Sequence, residues 1–148
     1  MAPAGLQIDT ETVSRLRLAV TRLNRRLRQQ SSTGDVTPSQ LSVMATLQRE
    51  GEALTLSQLA ALERVQPPSM TRVVASLERA GLVQRTVSED DRRFARVDLT
   101  AEGRQLIKSI RRRKDAWLAR RLAELSPVEV AEVERVLPVL ERLLEAKE

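Results

Sequence analysis

Three helix start signals recur along this 148-residue chain, and they constrain its fold more than any other feature. In each signal a Thr or Ser stands three positions before a Gln or Glu, the spacing at which each side chain can cap the main-chain N–H of the other residue. The three are Thr37-Pro-Ser-Gln40, Thr55-Leu-Ser-Gln58 and Ser126-Pro-Val-Glu129. Because apolar residues at helical spacing follow them, the chain is expected to be mainly helical.

The apolar spacing predicts six helices in total. We expect them over residues 9–30, 38–49, 56–63, 67–81, 101–124 and 127–147. Pro138 lies inside the sixth, where the missing N–H and the ring predict a bend. A helix that ends at Leu137 is the alternative.

A change of period follows Gly81. Residues 82–87 and 95–99 alternate apolar and polar side chains, which predicts two short strands joined by the charged loop 88–94. The third and fourth helices are separated only by Arg64-Val65-Gln66, as in a helix-turn-helix. The predicted fold class is therefore mainly α with a small two-stranded β-hairpin wing.

The residue types that are missing exclude several functions. The chain has no Cys, His or Tyr, so thiol nucleophiles, Cys/His metal sites and His-dependent acid–base catalysis are excluded. No spacing suggests a nucleophile beside its base, and we expect neither an enzyme nor a bound metal or cofactor. Without an apolar run of membrane length or a signal peptide, the protein is expected to be cytoplasmic and not membrane-bound.

The charges favour a nucleic-acid partner. Of the 25 basic residues only Lys108, Lys114 and Lys147 are lysines, and arginine is suited to bidentate contacts with phosphates and bases. Residues 15–28 of the first helix carry six Arg and no acid. Residues 104–121 have net charge +7, and residues 124–148 have net charge −4. Opposite charges on long helices suggest pairing of the chain ends, within a subunit or across a dimer. Solvated helix faces are the alternative.

Several spaced motifs together resemble the MarR family of winged helix-turn-helix regulators, over about Asp9 to Leu144. They are Pro68-Ser-Met-Thr-Arg72, Leu77-Glu-Arg-Ala-Gly-Leu-Val83, Asp91-Arg-Arg93 after Arg85, and Leu99-Thr-Ala-Glu-Gly103. The resemblance implies a winged DNA-binding domain at 37–100, a helical dimerisation region at 9–36 and 101–148, and a flexible N-terminus at 1–8.

The start of the fourth helix is the predicted reading element. A helix N-terminus presents free N–H groups to phosphate while its side chains reach base edges. The candidates are Pro68, Ser69, Met70, Thr71 and Arg72, with Met70 placed to touch a thymine methyl and Arg72 to bind guanine or phosphate. An ordinary cap at Ser69 and Thr71 and a surface cation at Arg72 are the alternatives.

In the wing, the resemblance implies that Arg93 enters the minor groove, oriented by Asp91. Arg92 is then its phosphate-binding neighbour, and Arg85 pairs with Asp91 across the hairpin. A register shifted by one residue, to Asp90 and Arg92, and a solvated turn with local ion pairs are both left open.

The predicted function is that of a homodimeric, sequence-specific transcriptional regulator, most simply a repressor of a pseudo-palindromic site on double-stranded DNA. Family members are commonly released by a small aromatic or anionic effector. Arg15, Arg17 and Arg22 are candidate cations for it, although exposed charge is the simpler interpretation, and the ligand-binding residues stay unassigned. A non-sequence-specific architectural DNA-binding protein is the main alternative, and a protein-interaction module is another.

Overall fold

The computed structural model describes residues 8–31, 34, 36–87 and 95–145 of the chain. In these residues six helices and three short strands follow one another in the order α1, α2, β1, α3, α4, β2, β3, α5, α6. Their bounds are α1 Thr10–Gln29, α2 Pro38–Glu50, β1 Leu54–Thr55, α3 Leu56–Glu63, α4 Pro67–Arg79, β2 Val83–Val87, β3 Ala95–Leu99, α5 Ala101–Leu122 and α6 Pro127–Glu145. All six predicted helices are therefore present.

The capping boxes form as the sequence predicts. Thr37 Oγ1 accepts a hydrogen bond from Gln40 N at 3.2 Å, and Gln40 Oε1 accepts one from Thr37 N at 2.7 Å. The same reciprocal bonds join Thr55 to Gln58 and Ser126 to Glu129. These bonds satisfy main-chain donors that the first turn of a helix leaves without a partner, which fixes where α2, α3 and α6 begin.

The sheet has three antiparallel strands in the order β1-β3-β2. The predicted hairpin strands pair with Val83 opposite Leu99 and Val87 opposite Ala95. The third strand, β1, pairs with β3 through Leu54 opposite Val97. The predicted two-stranded wing was therefore incomplete, because the segment just before α3 covers the other edge of β3.

The hydrophobic core lies inside the unit formed by α2, α3, α4, the sheet and the first half of α5. Its largest fully buried side chains are Met44, Leu47, Leu59, Met70, Leu77 and Leu99, with Val43, Val74, Val83 and Val97. Neither α1 nor α6 contributes a buried residue. The two terminal helices therefore extend from the packed unit with their apolar faces largely uncovered.

Thr100 fastens α5 to the corner between α4 and β2. Its hydroxyl donates to the carbonyl oxygen of Gly81 at 2.6 Å and accepts from Gly103 N at 3.1 Å. Its main-chain N–H donates to the carbonyl oxygen of Leu82 at 3.1 Å. The end of α4 and the start of α5 are thus held by one residue.

The sixth helix runs through Pro138 without ending. The alternative of a helix that stops at Leu137 was therefore wrong, whereas a bend at Pro138 stays a prediction.

Within the described ranges, every helix is too short or too polar to span a lipid bilayer.

Candidate nucleic-acid interface

The fourth helix is amphipathic, and its apolar face is spaced for burial. Met70, Val74 and Leu77 are four and three residues apart, the repeat that keeps side chains on one helix face, and none is more than 1% exposed. The side chain of Met70 therefore packs in the core. The expectation that it touches a thymine methyl was wrong.

The opposite face of α4 is polar and exposed. Pro68, Ser69, Thr71 and Arg72 are all exposed. Thr71 Oγ1 donates to the carbonyl oxygen of Pro67 at 3.0 Å, so its hydroxyl can offer an outside partner only an acceptor. Within the described part of the chain, Arg72 has no ion-pair partner. This face thus carries an acceptor and a free guanidinium.

The main-chain amides at the start of α4 are not free. Pro67 and Pro68 have no N–H, and the N–H groups of Ser69 and Met70 both donate to the carbonyl oxygen of Gln66, at 3.0 and 3.2 Å. The predicted phosphate contact through free N–H groups was therefore wrong. Side chains have to supply the polar contacts of this helix end.

Three hydrogen bonds between side chains hold the helix-turn-helix to α2. Gln40 Nε2 donates to Ser76 Oγ at 2.8 Å, which ties the start of α2 to α4. Ser42 and Thr46 both donate to the carboxylate of Glu63 at the end of α3, at 2.6 and 2.5 Å. The orientation of α4 is thus set by polar contacts as well as by packing.

At the wing, Arg85 is bound to α4. Arg85 Nε lies 2.7 Å from Glu78 Oε2. The predicted partner Asp91, with Arg92 and Arg93, lies outside the described residues. The structure therefore assigns Arg85 a partner that the sequence did not suggest.

The inner strand of the wing is joined to α5. Arg104 Nη2 lies 3.1 Å from both carboxylate oxygens of Asp98, and Arg104 Nη1 donates to the carbonyl oxygen of Leu99 at 2.7 Å. The two terminal nitrogens of this guanidinium thus bind a carboxylate and a main-chain carbonyl, which fixes its direction as well as its distance. The strand β3 and the helix α5 are therefore coupled in orientation.

The sequence of this chain is similar to those of known proteins. Residues 36–94 match the sequence model of the MarR family. An uncharacterised HTH-type transcriptional regulator of Mycobacterium bovis is 46% identical over 121 residues, which cover 82% of this chain and 84% of that protein. The chain belongs to the MarR family.

Two further comparisons agree with this MarR-family assignment. A transcriptional regulator of Pseudomonas aeruginosa PA01 has a crystal structure with TM-score 0.84 and 34% identity, covering 96% of this chain and 100% of that one. The HTH-type transcriptional repressor MdtR of Bacillus subtilis is 32% identical over 113 residues, 76% of this chain and 72% of MdtR. The chain is thus a DNA-binding transcriptional regulator with a winged helix, and not an enzyme, as the sequence indicated.

Sequence reasoning missed the residues that position α4 in this MarR-family regulator. Glu63 had no apparent role, although Ser42 and Thr46 stand four apart on one face of α2, where two hydroxyls can meet one carboxylate. The second function of Gln40, beyond its capping box, leaves no sequence signal, because its partner Ser76 lies 36 positions away.

Proposed function

We propose that this MarR-family regulator is a homodimeric repressor that reads a pseudo-palindromic operator. The observation that carries the proposal is the polar, exposed face of α4 on a helix held to α2 and to the wing. Ser69, Thr71 and Arg72 contact base edges, and Pro68 packs against the DNA backbone. The name of the Bacillus subtilis relative, a repressor, supports the direction of regulation.

The wing completes this contact. Asp91 orients Arg93 for the minor groove, and Arg92 meets a phosphate; all three lie outside the described residues, and their family motif supports these roles. A rigidly held arginine loses less entropy when it enters a narrow groove. In this arrangement Arg85, through Glu78, links the wing to the reading helix.

Dimerisation is supported by the uncovered apolar stripe of α1. Val13, Leu16, Val20 and Leu23 stand at helical spacing and are between 43% and 53% exposed. Large contiguous apolar surfaces of this kind mark interaction sites. On α6, Val136, Leu137, Val139 and Leu143 are exposed as well. We therefore assign residues 9–36 and 101–148 to the dimer and 37–100 to DNA binding.

The dimer is tested by placing charges in the α1 stripe. Val20→Asp with Leu23→Asp is expected to give monomers in sedimentation velocity at micromolar concentration, and to abolish operator binding. The matched control is Thr21→Asp with Arg25→Gln, which lowers the charge by the same amount on the side of α1 away from the stripe and is expected to stay dimeric. The proposed interface would be contradicted if the wild type were monomeric, or if the variant with both Val20→Asp and Leu23→Asp remained dimeric.

One side chain of α5 supports release of the regulator from DNA by a small organic anion. Arg113 Nε and Nη2 are buried and have no hydrogen-bond acceptor within the described residues. Guanidinium N–H groups that are buried without an acceptor are costly, so a bound carboxylate would stabilise them. Arg113 lines a surface cavity together with Gln105, Lys108, Ser109 and Arg112. By contrast, Arg15, Arg17 and Arg22 are exposed on α1.

The anion site is tested with benzoate and with benzamide, its uncharged isostere. Benzoate is expected to raise the melting temperature of the wild type and to weaken operator binding, and benzamide is expected to do neither. Arg113→Met is expected to abolish the benzoate effect while the variant remains folded. Equal effects of both compounds, or an unchanged benzoate effect in Arg113→Met, would overturn effector binding at this residue.

A further inference from the structure

The turn of the helix-turn-helix contains an unusual backbone conformation. Arg64 follows α3 with φ 53° and ψ 42°, in the left-handed region. Among the described residues it is the one non-glycine with a positive φ, whereas Gly34, Gly51 and Gly81 occupy the other such positions. A side chain in this conformation brings its Cβ close to the main chain, so glycine is the residue that the turn itself favours.

The main chain of Arg64 makes the turn without help from its side chain. Its N–H donates hydrogen bonds to the carbonyl oxygens of Ala60 and Ala61 at the end of α3. Glycine would make the same bonds. The turn therefore does not explain why an arginine stands here.

The side chain of Arg64 is exposed, and no residue in the described ranges forms a hydrogen bond or ion pair with it. Arg64 precedes Pro67, the first residue of α4, by three positions, which limits the main-chain distance to about 10 Å. The major groove is about 12 Å wide, with phosphates along both edges. An arginine at this place can reach the groove edge while α4 lies inside the groove.

We propose that Arg64 binds a DNA phosphate at the edge of the major groove and thereby sets how deeply α4 enters it. The inference rests on the proposed reading role of α4. A phosphate contact positions the protein without reading sequence, so Arg64 adds affinity for every duplex alike. An arginine in a conformation that favours glycine fits a functional constraint of this kind.

The test is Arg64→Gly, which removes the cation and relieves the backbone strain of the positive φ. The variant is expected to melt at the same or a higher temperature than the wild type. Its Kd is expected to rise about three- to tenfold both for an operator duplex obtained by selection and for an unrelated duplex of equal length. The slope of log K against log salt is expected to become less negative by about 1.8, because the dimer loses two phosphate contacts and each contributes about 0.9.

Two controls make the result unambiguous. Arg64→Lys keeps the charge and is expected to keep most of the affinity and the salt slope. Arg49→Gly removes a different exposed arginine, which is paired with Glu50, and is expected to leave the salt slope unchanged. An Arg64→Gly variant with wild-type Kd and slope would overturn the proposal. If the wild type itself does not prefer the selected duplex, the reading role of α4 fails, whereas the salt slope still tests Arg64.

Discussion

A Cβ atom added to Gly103 would overlap the main-chain carbonyl oxygen of Leu82. Gly103 lies in the first turn of α5, and Leu82 lies between α4 and β2, so α5 meets this connecting segment through bare backbone. The same carbonyl accepts the N–H of Thr100. A residue without a Cβ at position 103 is therefore required where the long α5 helix joins the packed unit.

Gly103→Ala tests this close approach. In an ordinary helix interior, Gly→Ala stabilises by up to about 1 kcal/mol. Here the added methyl forces α5 away from Leu82, and we expect a loss of about 1 to 3 kcal/mol in the free energy of unfolding, measured with urea. Gly51→Ala is a useful comparison, because its Cβ would meet no neighbour and only its positive φ is strained. Stabilisation by Gly103→Ala would contradict the contact.

Glu63 is expected to stabilise the helix-turn-helix through its two hydroxyl partners. Glu63→Ala leaves Ser42 and the buried Thr46 without their acceptor, and we expect a loss of about 1 to 3 kcal/mol in the free energy of unfolding. Glu63→Gln retains one acceptor and is expected to lose less. If both variants unfold at the urea concentration of the wild type, the Glu63 contacts do not stabilise the fold.

Arg72 is expected to contribute to recognition and not to folding, because it is exposed and without an ion-pair partner in the described ranges. Arg72→Ala is expected to weaken operator binding by about 1 to 3 kcal/mol, measured by fluorescence anisotropy with a labelled duplex. Its melting temperature is expected to stay at the wild-type value. A loss of the same size on an unrelated duplex would mean that Arg72 contacts phosphate only.

Glu129 has a pKa below its ordinary value of 4.5, chiefly because its carboxylate accepts the main-chain N–H of Ser126 and also its hydroxyl. A lowered pKa means that the ionised form stabilises the folded state, so this contribution is present above the ordinary pKa and is lost as the pH falls through the lowered one. Ser126→Ala is expected to raise the pKa of Glu129 while the main-chain bond remains. NMR titration of the carboxyl carbon measures it, and an unchanged pKa would contradict the role of the hydroxyl.

The helices could be predicted because their start signals are local. Thr37 and Gln40, or Thr55 and Gln58, are three residues apart, and the bonds between them need no tertiary partner. The strand β1 could not be predicted, because two residues carry no period and its partner Val97 lies 43 positions from Leu54.

The fourth helix was placed correctly, but two details of its first turn were predicted wrongly. The spacing of Met70, Val74 and Leu77 already indicates a buried stripe, so the burial of Met70 was available from the sequence. The sequence does not show that the main-chain N–H groups of Ser69 and Met70 are occupied. Their hydrogen bonds to Gln66 depend on how the chain enters the helix. The partner of Arg85 also depends on the tertiary fold, which brings the end of α4 beside β2.

Competition binding tests the central claim, sequence-specific recognition by a dimer, most directly. A labelled duplex enriched by selection is bound by the purified protein and displaced with unlabelled copies of itself or with an unrelated duplex of equal length. We predict two protomers on each selected duplex and at least about 1,000-fold weaker competition by the unrelated duplex. Equal competition by both duplexes would contradict specific recognition and favour an architectural DNA-binding protein.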